Sequence, residues 1–351
     1  MIAFAPIRTA LTHPPQTLLL GPPSPRVGNR HTPAAIRLSW LPIQLLPLVI
    51  ALVFTNRSSL HAATIPIPNG SFESPEVVFV DTNFDAWQKN PKPPGYIEEG
   101  GFFWNQLTGI FKNPAPGKSD HLDNCDKAQA LWLFAVPEVA LFQDYDSVDW
   151  NDSAPSHSLN TRFTPGKAYS LKLAVNGGGG GMKPNVTLRA SLYYRDSNSN
   201  QVPVASTVIT HSTNLFPNQT HLTDFEVRTS IVTDSDPWAN QHLGIQLLST
   251  VSTELQGGYW DIDHIRLAEL QPPKLTALIN AQGQLLLTAH GDAGTVVQIA
   301  ATDQLAHSNS ANSWVPIATF TNDSGSVSLS IPPHLQHQRF FRGQIVDWVP
   351  R

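Results

Sequence analysis

From Thr64 onward apolar side chains recur at every second position in short runs, separated by clusters of Gly, Pro, Asn, Asp and Ser, and no window holds a 3.6-residue repeat for three turns. A period of two with frequent turns predicts an all-β chain, folded as a sandwich or barrel. The strong strands are expected over Ala128–Phe134 and Val139–Tyr145. Tyr169, Leu171, Leu173 and Val175 then share one face of a strand that the glycine run Gly177–Gly181 ends as a flexible loop. Val186–Tyr194 and Val202–Thr210 pair through the polar turn Asp196–Asn200, and Asp224–Val232, Leu243–Ser249 and Tyr259–Leu267 follow. The earlier stretch is irregular, with one short strand expected at Phe102–Trp104.

Gln271, Pro272 and Pro273 read as a linker. Beyond it, residues 274–351 alternate again, as at Leu275, Ala277 and Ile279, over a length that suits a smaller fibronectin-like β-sandwich. At the other end, Trp40–Phe54 is an uncharged apolar run with Arg26, Arg30 and Arg37 before it and Ala62 and Ala63 after it. That run is short for a membrane span and right for the apolar part of a signal peptide, so residues 1–63 are expected to be a leader with a long first segment. A secreted or cell-envelope protein follows, with no stable membrane span after processing.

Charge narrows the partners. Setting aside the five arginines of residues 1–63 leaves seventeen basic against 27 acidic residues, an acidic surface unsuited to nucleic acid. Cys125 is the single cysteine and cannot close an intramolecular disulfide, so the fold rests on its core or on a metal. No zinc spacing, phosphate-binding glycine loop, G-x-S-x-G or H-E-x-x-H occurs.

Four pieces in order carry a family likeness: N-G-S-F-E at Asn69–Glu73, the aromatic Trp104, F-Q-D-Y at Phe142–Tyr145 followed by T-P-G-K-A-Y-S-L at Thr164–Leu171, and Y-W-D-I-D-H-I-R-L at Tyr259–Leu267. Residues 64–270 thereby resemble bacterial carbohydrate-binding modules of the galactose-binding-like jelly-roll superfamily. The resemblance implies a jelly-roll β-sandwich, a polysaccharide or cell-surface glycan as partner, and a structural calcium ion tying the first strand to the last, with Glu73 and Asp263 at the matching positions. The closing strand adds its own sign. Trp260 and Ile262 share one parity while Ile265 and Leu267 share the other, so a β-bulge near Asp263 and His264 would turn Asp263 toward a cation.

Sugar binding needs flat aromatics beside hydrogen-bonding groups, and Trp87, Tyr96, Phe102 and Trp238 fall in loops where they would serve; Trp104, Trp132 and Trp260 are assigned to the core. Asp120, Asp123, Asn124 and Asp126 read as a solvated loop. Paired carboxylates such as Asp144 with Asp146, and Glu98 with Glu99 beside the early aromatics, leave an enzyme open as the alternative. Some calcium-dependent cyclases share this jelly-roll plan and place an acidic residue in an aromatic pocket, so a lyase, cyclase or glycoside hydrolase is the form that enzyme would take. A structural envelope protein is the third reading.

Overall fold

The structure, a computed structural model, describes residues 2–3, 63–98, 102–302, 314–332 and 340–348. Apart from Ile2, Ala3 and Ala63, the leader lies outside the described residues, as does Glu99. In chain order the strands begin with β1 (Ile2–Ala3), β2 (Ala63–Ile65), β3 (Val80–Asp81), β4 (Gln88–Lys89), β5 (Thr108–Lys112), β6 (Gln129–Phe134) and β7 (Ala140–Gln143). They continue with β8 (Ala168–Gly179), β9 (Thr187–Arg195), β10 (Gln201–Thr210), β11 (Thr223–Arg228), β12 (Gly244–Ser249) and β13 (Tyr259–Leu270). The remainder are β14 (Lys274–Ile279), β15 (Leu285–His290), β16 (Thr295–Thr302), β17 (Val315–Asn322), β18 (Ser326–Ile331) and β19 (Phe340–Trp348). Among the described residues there is no α-helix, hence none long and apolar enough to cross a membrane.

Two antiparallel sheets make the main sandwich. One has seven strands in the order β11-β8-β13-β6-β5-β3, with β2 also on β13; the other has five, β10-β9-β12-β7-β4. Alternation along each strand decides what lies between them. From the first sheet come Leu131, Leu133, Tyr169, Leu171, Leu173, Val175, Trp260 and Ile262, and from the second Leu141, Leu188, Leu192, Ile245 and Leu247, all in one buried cluster. A four-stranded sheet, β1-β19-β16-β17, and a three-stranded one, β14-β15-β18, enclose a smaller core of Leu285, Leu287, Ile299, Ala301, Ile331 and Phe341. The all-β sandwich read from the pattern holds.

Contacts join the smaller sheets to the larger sandwich. The Gln271 N–H donates to Asp292 Oδ2 at 2.8 Å, Lys172 pairs with Asp347 at 2.8 Å, and Arg228 Nη1 donates to the Ile345 carbonyl at 2.7 Å.

The closing strand β13 is the axis of the large sheet, lying between β8 and β6. Its ladder to β8 runs from Asp263↔Ala174 to Arg266↔Lys172, one residue more on β13 than on β8, with His264 at φ 49°. That bulge is where the alternation slips. The turn at residues 67–72 docks on it: Ile265 N–H donates to the Gly70 carbonyl at 2.8 Å, and a Cβ on Gly70 would come within 2.8 Å of the Ile265 oxygen. Glycine is thus required at Gly70 by close approach.

Two readings of the chain need correction. Gly177–Gly179 complete the twelve-residue strand β8 instead of forming a loop. Rings occupy the space their side chains would take, since a Cβ on Gly177 would lie 2.7 Å from Trp260 and one on Gly179 2.3 Å from Tyr259. The short strand expected at Phe102–Trp104 is instead a 3-10 turn over Trp104–Gln106, with Glu98 Oε1 accepting the Trp104 N–H at 3.1 Å before β5 begins.

Candidate functional site

The outward face of the seven-stranded sheet carries the residues of opposite parity to the core. Register places them in transverse rows. One row runs Asn176 (β8), Asp261 (β13), Trp132 (β6) and Gly109 (β5); the next runs Gly179, Tyr259 and Phe134. Cross-strand partners stand side by side on one face, so each row is a contiguous strip of side chains.

Both rows place an aromatic ring against a glycine. A Cβ on Gly109 would meet Trp132 atoms at 2.3 and 2.5 Å, and one on Gly179 would meet Tyr259 atoms at 2.3 to 2.7 Å. Each ring therefore lies along the sheet. Both rings line a cleft of about 480 Å³, within the size range of small-ligand sites. Phe79, Phe111 and Phe134 add apolar wall, and Asp120, Gln219 and Asp261 supply polar groups. Phe79 is 77% exposed, next to the exposed Val78 and Val80, so this rim of the cleft is a continuous apolar stretch.

Asp261 is the chemically distinctive group. It is buried, its carboxyl makes no hydrogen bond among the described residues, and burial, then the charge of Asp120, pushes it up to about 7. Burial and then Asp261 and Asp120 likewise push the Tyr259 phenol up.

Around the bulge lies the second acidic group. Glu73 Oε1 accepts the N–H groups of Ala128 and Gln129 at 3.0 and 2.9 Å. Asp263, fully buried, accepts those of Asp126 and His264 at 2.6 Å each. Asp126 in turn accepts the Ser71 hydroxyl at 2.6 Å. Burial pushes Asp263 up to about 7 against the pull of those two N–H groups. The Cys125 thiol feels the whole cluster: burial first, then Asp263, Glu73 and Asp126, push it up. The donors suit a hard cation such as calcium, being carboxylate oxygens beside main chain at positive φ at Phe72, Lys127 and His264. Among the described residues no three His, Cys, Asp or Glu side chains converge as a ready metal set, so a cation here would draw on carbonyl oxygens as well.

The aromatics chosen from sequence do not meet in one place. Trp87 is a core side chain, 2% exposed, with its ring 5.6 Å from Phe72 and its indole N–H donating to the Asn69 carbonyl, so no sugar can lie on it. Tyr96 is half-buried edge-on to Trp104 at 4.8 Å, and Trp238 packs on the core. Phe102 is edge-on to Phe134 at 6.1 Å, behind one wall of the cleft. Trp132, assigned to the core, instead lines the cleft, because Leu131 and Leu133 on either side of it take the inward positions. The acidic loop is less free than its composition implied: Asn124 exchanges two hydrogen bonds with Leu222, and Asp123 accepts the Thr220 hydroxyl. Asp120 remains at the cleft.

A smaller cavity of about 190 Å³ lies elsewhere, by Asp144, Tyr193 and Arg195. There Asp144 Oδ2 accepts from the Tyr193 hydroxyl at 2.5 Å and from Arg195 Nε at 2.7 Å.

No family profile and no curated protein matches the chain. Among solved structures, a cyclase from Fischerella sp. TAU is similar at 20% identity over 59% of this chain and 97% of that one, with a TM-score of 0.42. The CBM22-1 xylan-binding domain from Paenibacillus barcinonensis is similar at 11% identity over 60% and 97%, with a TM-score of 0.33. A family 16 carbohydrate-binding module aligns at 14% identity over 57% and 97%, with a TM-score of 0.29.

Proposed function

We propose that the chain is a non-catalytic carbohydrate-binding protein of the cell exterior, and that the sheet-face cleft is its binding site. The observation that carries this reading is the pair of aromatic rings, Trp132 and Tyr259, laid over cross-strand glycines at one cleft. Rings held along a sheet offer a flat apolar face, as the axial C–H face of a pyranose requires, while Asp120, Gln219 and Asp261 stand within the same cleft to bond hydroxyls. Glu73 and Asp263 are proposed to hold a structural calcium at the bulge, where the ion would neutralise a buried carboxylate and pin the turn at residues 67–72 to the closing strand.

Calorimetric titration with cello-, xylo-, manno- and chito-oligosaccharides tests the binding. At least one class binds, and Trp132→Ala weakens that binding by tenfold or more, the equivalent of about 1.4 kcal/mol. Absence of binding by every class removes the reading.

One observation favours a second reading. A buried carboxyl without a hydrogen-bond partner, held near 7 among aromatic walls, has the properties of a general acid. Under this reading Asp261 donates a proton to a substrate in the cleft, and product formation from a bound ligand is lost in Asp261→Asn with binding retained.

A further inference from the structure

One polar group beside the cleft takes no part in the reading above. Asn176 is 1% exposed, and neither its amide nitrogen nor its amide oxygen has a hydrogen-bond partner among the described residues. Its place is fixed by register, as the cross-strand partner of Asp261. Val175 before it points into the core, so Asn176 stands on the outward face with Asp261 beside it.

An amide in this position is costly to the ligand-free fold. A buried donor and acceptor left unpaired lose their hydration and gain nothing, and an apolar side chain of similar size would pack at least as well. Asn176 thus resembles a group whose partner arrives from outside the chain.

We propose that Asn176 and Asp261 together form a polar subsite that reads a secondary amide, the acetamido group of an amino sugar; this rests on the carbohydrate reading of the cleft. A single hydroxyl would have to accept from Asn176 and donate to Asp261 through one oxygen atom. An acetamido group presents an N–H and a C=O side by side, so its carbonyl accepts from the Asn176 NH₂ while its N–H donates to an oxygen of Asp261. Its methyl then falls against the aromatic wall that begins at Trp132, the next residue of the same row. Gln219, exposed and lining the cleft, donates to the Gly178 carbonyl, on the same strand as Asn176, at 3.0 Å.

The test is Asn176→Leu, measured for melting temperature and for affinity toward chitohexaose and xylohexaose. The variant melts at the wild-type temperature or above it, loses tenfold or more in chitohexaose affinity, and keeps any xylohexaose affinity within twofold. A melting temperature lowered by several degrees would show a structural amide and overturn the proposal, as would equal losses for both sugars or no loss for either. Wild-type protein that binds xylohexaose but not chitohexaose defeats the subsite alone. Wild-type protein that binds neither, nor any other oligosaccharide class, defeats the cleft reading along with it.

Discussion

Trp260→Ala destabilises the protein by about 3–5 kcal/mol, whereas Trp132→Ala, on the adjacent strand and paired with Asp261 next to Trp260, changes stability by far less. The difference lies in which face of the sheet each indole occupies. Trp260 is 0% exposed, edge-on to Phe216 at 5.9 Å and to His211 at 6.4 Å, and its ring fills the space above Gly177. Its indole N–H has no partner among the described residues, so the loss is one of packing and of the cavity left behind, with no hydrogen bond to subtract. Trp132 is half-buried at a cleft, where water can replace it. Urea unfolding of the two variants reads the contrast, and equal destabilisation would contradict the assignment of Trp132 to a ligand surface.

Asp261→Asn is expected to match the wild type in melting temperature near pH 4 and to exceed it progressively as pH rises to 8, in the presence of a chelator. Asp261 is held near 7 in the fold, against the ordinary carboxylate value of 3.8. Between those values the folded chain binds the proton that the unfolded chain has released, so stability is fully present below about pH 4 and is lost as pH rises through 7. The loss is on the order of a few kcal/mol. Asparagine does not titrate and escapes it.

Asp263, also held near 7 by burial, follows the same sign. It differs in one respect: a calcium ion at Glu73 and Asp263 would hold it ionised and recover the loss. Under that proposal calcium is expected to raise the melting temperature more at pH 8 than at pH 5, where protons compete for the same carboxylate. His264, which burial and then Arg266 push down, opposes this trend near pH 6, so the comparison is made between each variant and the wild type at one pH. A wild type whose melting temperature is unchanged by calcium at pH 8 removes the ion.

The β-class of this chain was legible because period two needs only a buried and an exposed face. The bulge was legible too, in the switch of parity between Ile262 and Ile265. The binding face was not. Parity already separated Trp132 from Leu131 and Leu133, and Asp261 from Trp260 and Ile262, but the size of an indole suggested burial and outweighed that signal. Likewise the run Gly177–Gly181 suggested a flexible loop by composition, whereas glycines within a strand mark close approach of other groups, here Trp260 and Tyr259. Asn176 follows the last apolar residue of an alternating run, where alternation alone sets its face. What no pattern in one strand conveys is the pairing of β8, β13, β6 and β5, since β13 lies far along the chain from both of its partners, Asp261 being 85 residues from Asn176 and 129 from Trp132. Only that pairing assembles the row from Asn176 to Gly109.

The central claim is that ligand occupies the outward face of the seven-stranded sheet. Chemical-shift mapping of the isotopically labelled protein during titration with its best-binding oligosaccharide tests it most directly. The largest changes are expected at the Trp132 indole N–H and at the amides of Gly109, Gly179, Tyr259 and Asp261. Changes centred instead on Asp144, Tyr193 and Arg195, with the Trp132 indole unmoved, would contradict it.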